Sequence, residues 1–240
     1  MTKLDVKEVL GKKQRNKLKK CSHPDWLAPM LARLHHDHFS AAGWIYERKL
    51  DGERCLLFRH NKKVRLLSRN KKELGIVYPE LQEAAAEQEA DDFVADGEIV
   101  AFSGRTTSFS RLQKRMHLEN RGDVLKSRVA VYLYLFDLLY LDGYDLSNLP
   151  LRQRKKLLRR LLDWNDPLRF TPHRNKEGKK FYSEACSRGW EGIMAKEADS
   201  RYIHARSGKW LKFKCSRRQE FVIGGYTDPK GSRKGFGALL

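Results

Sequence analysis

The sequence predicts a mixed α+β fold, with antiparallel sheets flanked by helices, and three observations lead to it. Residues 44–70, WIYERKLDGERCLLFRHNKKVRLLSRN, read as strands with partial two-residue alternation through Cys55, Leu57 and Val64 to Leu66, separated by tight Asp-Gly and His-Asn turns. Residues 149–164, LPLRQRKKLLRRLLDW, set Leu151, Leu157, Leu158, Leu161 and Leu162 toward one side of a helix. Strand and helix signals follow one another without regular β-α-β repetition, which disfavours a parallel doubly wound sheet.

Taken in order, the first twenty residues are dense in Lys and Arg. Leu4, Val6, Val9, Leu10 and Leu18 are too sparse there to define a helix, so the segment fits either a flexible basic arm or a packed extension with a charged outer face. Residues 78–92, YPELQEAAAEQEADD, have the alanines and acids of a helix, and FVADGEIVAF at 93–102 returns to strand with another Asp-Gly turn. SFSRLQKRMHL at 108–118 predicts a helix, VAVYLYLFDLLYLDG at 129–143 a buried strand running into a turn, and KFYSEACSRGW at 180–190 a further helix. After Lys214 the composition shifts to a short apolar strand and a Gly-rich, hairpin-like piece ending in FGALL. An apolar edge expects a partner, so this tail reads as the start of a second small β domain; the alternative is a last strand of the first sheet.

A chain of 240 residues with 40% hydrophobic residues has room for one core with an appendage, or two small domains. Its apolar runs are too short and interrupted to cross a bilayer, and the basic start lacks the apolar segment of a secretory signal, so a cytoplasmic protein is expected. Cys21, Cys55, Cys186 and Cys215 show no paired spacing of the zinc-site kind and are expected as reduced thiols. The net charge of +19, from 49 basic against 30 acidic residues, attracts polyanions, with nucleic acid ahead of an anionic membrane.

Several residues carry possible chemistry. Lys49 in ERKLDGERC precedes an Asp-Gly pair and is followed by Arg54, so an amine and a planar fork of donors would meet two anionic groups at a pocket rim; a solvated hairpin explains the stretch as well. To attack phosphorus, Lys49 must lose its proton, which neighbouring cations or a metal-bound phosphate favour. Asp96 and Glu98 lie two apart on one side of a strand, as a hydroxyl or divalent cation needs, or as an exposed turn allows. Phe136 serves equally as core filling or as a stacking face for a base. In WLKFKC, Lys212 and Lys214 face one way while Leu211 and Phe213 face the other, so an apolar core face backs an anion-binding face. Glu191 and Lys196 complete the set.

With these motifs in order, the chain resembles the nucleotidyltransferase domain of ATP-dependent DNA ligases, in particular the ligase module of bacterial nonhomologous end-joining enzymes, over roughly residues 24–215. Lys49, Asp51, Gly52 and Arg54 match the signature whose lysine takes AMP covalently. Ser68, Arg69 and Asn70 fall where an arginine engages the nucleotide; Asp96, Gly97 and Glu98 where a glutamate meets the ribose or metal; Phe136 and Asp137 where an aromatic ring packs on adenine. Glu191, Gly192 and Lys196 match the motif with a metal-associated glutamate, and Lys212 and Lys214 the closing pair on the phosphates. Glu47 falls where relatives read the adenine amino group, and APMLA, SFSRLQKR and Arg206 with Trp210 also resemble end-joining ligases.

The resemblance implies a covalent nucleotidyltransferase fold, ATP-grasp-like, with a nucleotide pocket between the sheets. It implies a basic extension at 1–23, the adenylation domain at 24–216, and at 217–240 a linker with the truncated start of an oligonucleotide-binding-fold domain. Catalysis would rest on Lys49, Lys212 and Lys214. ATP or AMP would meet Glu47, Lys49, Arg54, Arg69, Glu98, Phe136, Glu191, Lys196, Lys212 and Lys214, with Mg2+ or Mn2+ on Glu98 and Glu191. Nicked or broken double-stranded DNA is the expected partner, held by its backbone through the basic cluster from Arg152 to Arg160 and by Arg217 and Arg218. End-joining proteins or further domains of the same natural chain are possible partners, the protein is expected as a monomer, and no polymerase or phosphoesterase signature is present. Because the family's pyrophosphate-orienting motif lies beyond the lysine pair, complete nick sealing by this chain alone is not expected. RNA ligases, capping guanylyltransferases and a noncatalytic nucleic-acid-binding scaffold are the competing readings.

Overall fold

A computed structural model describes residues 6–215, 225–229 and 235. The apolar strand and most of the Gly-rich piece expected after Lys214, with Arg217 and Arg218, lie outside the described residues. The chain begins with two single-turn helices, α1 (Val6–Val9) and α2 (Lys12–Arg15), and two short strands, β1 (Lys19–Lys20) and β2 (Leu31–Leu34). Then come β3 (Trp44–Arg48), β4 (Glu53–His60), β5 (Lys63–Ser68) and α3 (Pro79–Ala86), which has its proline in the first turn, where no N–H is missed. Next follow β6 (Asp92–Ser103), β7 (Thr106–Thr107) and α4 (Phe109–Met116), whose N-cap Ser108 accepts from the Arg111 N–H. The remainder is α5 (Arg121–Lys126), β8 (Val131–Leu141), β9 (Tyr144–Asp145), α6 (Leu151–Leu161), β10 (Leu168–Phe170), β11 (His173–Asn175), α7 (Gly178–Ser187), β12 (Gly192–Glu197) and β13 (Arg206–Lys214).

These strands form two sheets. The larger runs β1-β9-β8-β6-β4-β5, with β10 beside β8 and β7 beside β6; the smaller runs β11-β3-β12-β13-β2. Pairing is antiparallel except for β10 with β8 and β13 with β2. Side chains alternate between two buried faces, so β4 reads as a nearly continuous buried run. Cys55 and Leu57 point outward, under Leu81 and Ala85 of α3, Leu112 of α4 and Leu157, Leu158 and Leu161 of α6. Leu56 and Phe58 point inward, to a second core shared with Ile45 and Trp210 of the smaller sheet. On that sheet's far face Tyr46, Ile193, Leu211 and Phe213 pack with Phe181 and Ala185 of α7. The layers are therefore helix, sheet, sheet, helix. Each fully buried leucine contributes about 1.5–3 kcal/mol of transfer free energy to this arrangement. Val6 and Leu10 are buried in the outer core and Lys19 pairs with Asp145, so the basic N-terminal segment packs on the larger sheet.

Four local readings are corrected. Asp51-Gly52 is not a hairpin turn: β3 belongs to the smaller sheet and β4 to the larger, so residues 49–52 carry the chain from one to the other. Gly52 is needed there because a Cβ would sit 2.1 Å from the Ile99 carbonyl oxygen. Asp96-Gly97 is likewise not a turn but lies inside the twelve-residue β6, at a register shift against β8. Cys186 and Cys215 are joined in a disulfide rather than both reduced, because α7 lies on the sheet beside the end of β13. Finally, α6 does not present one basic surface from Arg152 to Arg160. Arg154 is fully buried on Asp137, at 2.7 Å and 2.9 Å, and Lys155 is buried on Glu47, which leaves Lys156, Arg159 and Arg160 exposed.

Candidate active site

Between the sheets lies a cavity of about 560 Å³, within the range of small-molecule sites. Eight of the ten residues expected to meet ATP line it: Glu47, Lys49, Arg54, Arg69, Glu98, Phe136, Lys196 and Lys212. They come from both sheets, and the crossing at 49–52 is what brings them together. The Lys49 N–H extends the β3 ladder by bonding the Gly192 carbonyl at 3.0 Å, which fixes the backbone before the chain leaves that sheet. Glu191 and Lys214 stand at the rim. The Lys49 ammonium donates to Glu191 Oε2, and Lys214 reaches Glu191 Oε1 at 3.1 Å. Gly192 follows at φ +146°, where a Cβ would meet the Phe213 carbonyl oxygen at 1.9 Å, so the backbones of β12 and β13 approach closely beside Glu191.

Strand register sets the cavity wall. Glu47 lies opposite Met194, Met194 opposite Lys212, and Lys196 opposite Trp210, so these side chains share the inner face of the smaller sheet. Leu211 and Phe213 take the other face, in the apolar layer under α7. Burial lowers the Lys212 pKa, and the charges of Lys214, Lys49 and Arg206 push it the same way, so a ligand rich in negative charge relieves this crowding.

Not every residue offers itself to a ligand in the same way. Asp96 is fully buried and satisfied by Arg54, at 2.5 Å through two nitrogens, and by the Tyr202 hydroxyl at 2.6 Å. Of the Asp96 and Glu98 pair, only Glu98 reaches the cavity. Arg54 also donates to the Met30 carbonyl at 3.1 Å and lies over the Phe136 ring, so its fork braces the wall rather than standing open for an anion. Burial pushes Glu98 up to about 7, against the opposing pull of Arg54 and Lys49. Phe136 fills the inner core, edge-on to Trp210, and its ring also lines the cavity.

The floor is a buried charge cluster. Glu47 lies 2.5 Å from Lys155 Nζ and 2.6 Å from Lys196 Nζ, and Lys196 sits about 4 Å from the centres of the Phe136 and Trp210 rings. Burial would raise the Glu47 pKa, but the two ammonium groups outweigh it and hold the carboxyl below its ordinary range. Lys72, Met194 and Thr171 also line the cavity and were missed in the sequence. Thr171 Oγ1 is buried without a hydrogen-bond partner among the described residues, an open polar position for a ligand. Nothing in the sequence marks it, since Thr171 is a single threonine after a three-residue strand.

The comparison with known proteins agrees with this geometry. Residues 29–214 match the family model of the ATP dependent DNA ligase domain, from the segment before β2 to the last residue of β13. The chain belongs to the ATP-dependent DNA ligase family. Within that family it is 39% identical over 221 residues to the multifunctional non-homologous end joining protein LigD of Pseudomonas aeruginosa, a match covering 90% of this chain and 25% of that protein. The Mycobacterium tuberculosis multifunctional non-homologous end joining DNA repair protein LigD is 40% identical over 227 residues, covering 90% of this chain and 28% of its own length. The chain thus spans about a quarter of the length of these two relatives. Among solved structures, mycobacterial DNA ligase D complexed with ATP and MES superposes with a TM-score of 0.67 at 33% identity, covering 89% of this chain and 67% of that one. The ligase domain from M. tuberculosis LigD gives 0.66 at 34% identity, with the same two shares.

Proposed function

We propose that this ligase-family chain is an adenylating catalytic domain: Lys49 attacks the α-phosphorus of ATP, pyrophosphate leaves, and a lysyl-AMP phosphoramidate forms. The observation that carries the reading is the placement of Lys49 Nζ on the sheet-to-sheet crossing, at the edge of a cavity lined by Arg69, Lys72, Lys196, Arg206 and Lys212 and by the Phe136 ring. Phosphoryl-type transfer gains most from alignment and from cations on the oxygens that take up charge, and this wall supplies both. Phe136 offers a face to adenine, and Glu47, with Thr171 Oγ1 near it on the lining, offers acceptors to its amino group or the ribose. Lys212 and Lys214 clamp the α-phosphate. The cavity fits such a nucleotide because it combines an aromatic wall, an unpartnered hydroxyl and crowded lysines that a polyphosphate relieves.

We assign Mg2+ or Mn2+ to Glu98 and Glu191: burial and the neighbouring Glu191 charge both disfavour the ionised form of Glu98, a cost that a divalent ion would offset. A divalent ion there would draw the Glu191 charge away from Lys49, favouring the free amine, and neutralise phosphate oxygens. In the whole protein, AMP passes to the 5′ phosphate of nicked or broken DNA, held by its backbone, for sealing during end joining in the bacterial cytoplasm. We place the adenylation domain at 24–216, with 217–240 leading toward an oligonucleotide-binding-fold domain. Intact-mass measurement with ATP and Mg2+ tests the assignment. A gain of one AMP that pyrophosphate or nicked DNA removes is expected, and covalent labelling that persists in Lys49→Ala refutes it.

A further inference from the structure

At the far end of β4 from the cavity, three side chains converge that the adenylation chemistry does not use. His60 ends β4, Asp92 begins β6 directly across the ladder from it, and His23 comes from the stretch after β1. His60 lies six positions along β4 from Arg54, so the cluster is about 20 Å along the strand from the cavity. His23 Nδ1 and His60 Nδ1 lie 2.8 Å and 3.0 Å from the same atom, Asp92 Oδ1, and all three ligand-type atoms fall within 4.8 Å of one another.

We infer that His23, His60 and Asp92 form a second metal site, for a divalent transition-metal ion of the zinc class. Two imidazoles and one carboxylate are the donor set of such ions, whereas magnesium prefers oxygen alone, so the cluster differs in kind from the carboxylate pair at the cavity. Around a tetrahedral ion at about 2.0–2.1 Å, ligand atoms stand roughly 3.3–3.4 Å apart. The imidazoles therefore need to withdraw by about half an ångström from Asp92 Oδ1 to admit it. His60, with its side chain 54% exposed, is free to move and leaves an entry path.

The surroundings hold the other two ligands in place. The Tyr140 hydroxyl accepts from the Gly143 N–H at 3.0 Å and donates to Asp92 Oδ2 at 2.9 Å, which occupies that oxygen and leaves Oδ1 turned to the histidines. The His23 ring packs edge-on to Tyr140, with centroids 5.0 Å apart, and against Phe58. A fourth position falls to water. An ion here would tie the N-terminal segment to the edge of β4 and β6. Without an ion, the same atoms make two histidine-to-carboxylate hydrogen bonds, and if that were their whole role, added zinc would leave the chain unchanged.

Titration of the metal-free 240-residue chain with Zn2+ in competition with a chromophoric chelator, together with thermal melts, separates the two. One ion per chain and a raised Tm are expected. Asp92→Asn, and His60→Ala at an exposed position that does not threaten folding, should each weaken binding at least about tenfold, while Glu191→Gln leaves it unchanged. The inference is overturned if the wild type takes up no zinc, if His60→Ala binds as tightly as the parent, or if Glu191→Gln is the variant that loses the ion. Failure of adenylation in the mass assay has no bearing on this outcome.

Discussion

Replacing Glu47 by Gln tests the physical reading of the cavity floor most directly. Each of its contacts, 2.5 Å to Lys155 and 2.6 Å to Lys196, is worth about 6–7 kcal/mol of Coulomb attraction at an effective dielectric near 20, before desolvation is subtracted. The amide can accept one hydrogen bond but turns an NH2 toward the second ammonium, leaving two buried positive charges without the carboxylate they share. The net loss expected for breaking such a buried pair is about 3–5 kcal/mol. Lys155→Met is the contrast. It leaves Glu47 paired with Lys196, removes the repulsion between the ammonium groups, and strands the Thr171 carbonyl that Lys155 bonds at 2.9 Å, for about 1–3 kcal/mol. In urea unfolding followed by circular dichroism, with a slope of about 3 kcal/mol/M, the Glu47→Gln midpoint should fall by about 1 M or more, well beyond that of Lys155→Met. The deficit should also shrink as pH rises. Burial already lowers the Lys196 pKa, so in the variant the folded state sheds a lysine proton before the unfolded chain does, and stability then climbs toward the ordinary lysine pKa of about 10.4. A Glu47→Gln midpoint within a few tenths of a molar of the parent, or an equal drop in Lys155→Met, refutes the argument.

Other consequences follow from the same contacts. Lys49→Ala should abolish AMP labelling while shifting the thermal midpoint only slightly, because the pair it breaks with Glu191 is partly exposed; labelling and melting read the two effects separately. Arg54→Ala strands a fully buried Asp96 with Tyr202 as its remaining partner, and should cost about 3–5 kcal/mol in denaturant unfolding even though the arginine lines the cavity. Reducing the Cys186–Cys215 bond, or replacing Cys186 by Ser, releases a link across 29 positions and should lower unfolding free energy by about 3–4 kcal/mol on the loop-entropy account; identical melts with and without reductant exclude that account. Glu191→Gln should abolish adenylation or weaken its dependence on Mg2+, and an unchanged metal titration assigns Glu191 a structural role alone.

Much of the fold was legible because its signals are local. Alternation fixed β4 and β5, the apolar run fixed β8, and the leucine spacing fixed α6, since each depends on residues two to four apart. What failed was the meaning of glycine. Asp-Gly marks a hairpin only when the flanking strands pair with each other; at Gly52 the flanks join different sheets, and at Gly97 the strand runs through. Both glycines answer close backbone approaches by segments distant in sequence, which a local pattern does not contain.

The sequence by itself determined the ordered set of motif residues, the alternation that turns Lys212 away from Leu211, and the family they point to. Only the tertiary structure decided which charges face a ligand and which face each other. Asp96 and Glu98 look equivalent in the chain, yet Arg54 and Tyr202 close over one and leave the other on the cavity wall. Arg154 and Lys155 look like part of a basic surface, yet both turn inward to Asp137 and Glu47. The physical reason is desolvation: a charge survives in the interior only beside its complement, and for each of these the complement comes from a different element of the fold.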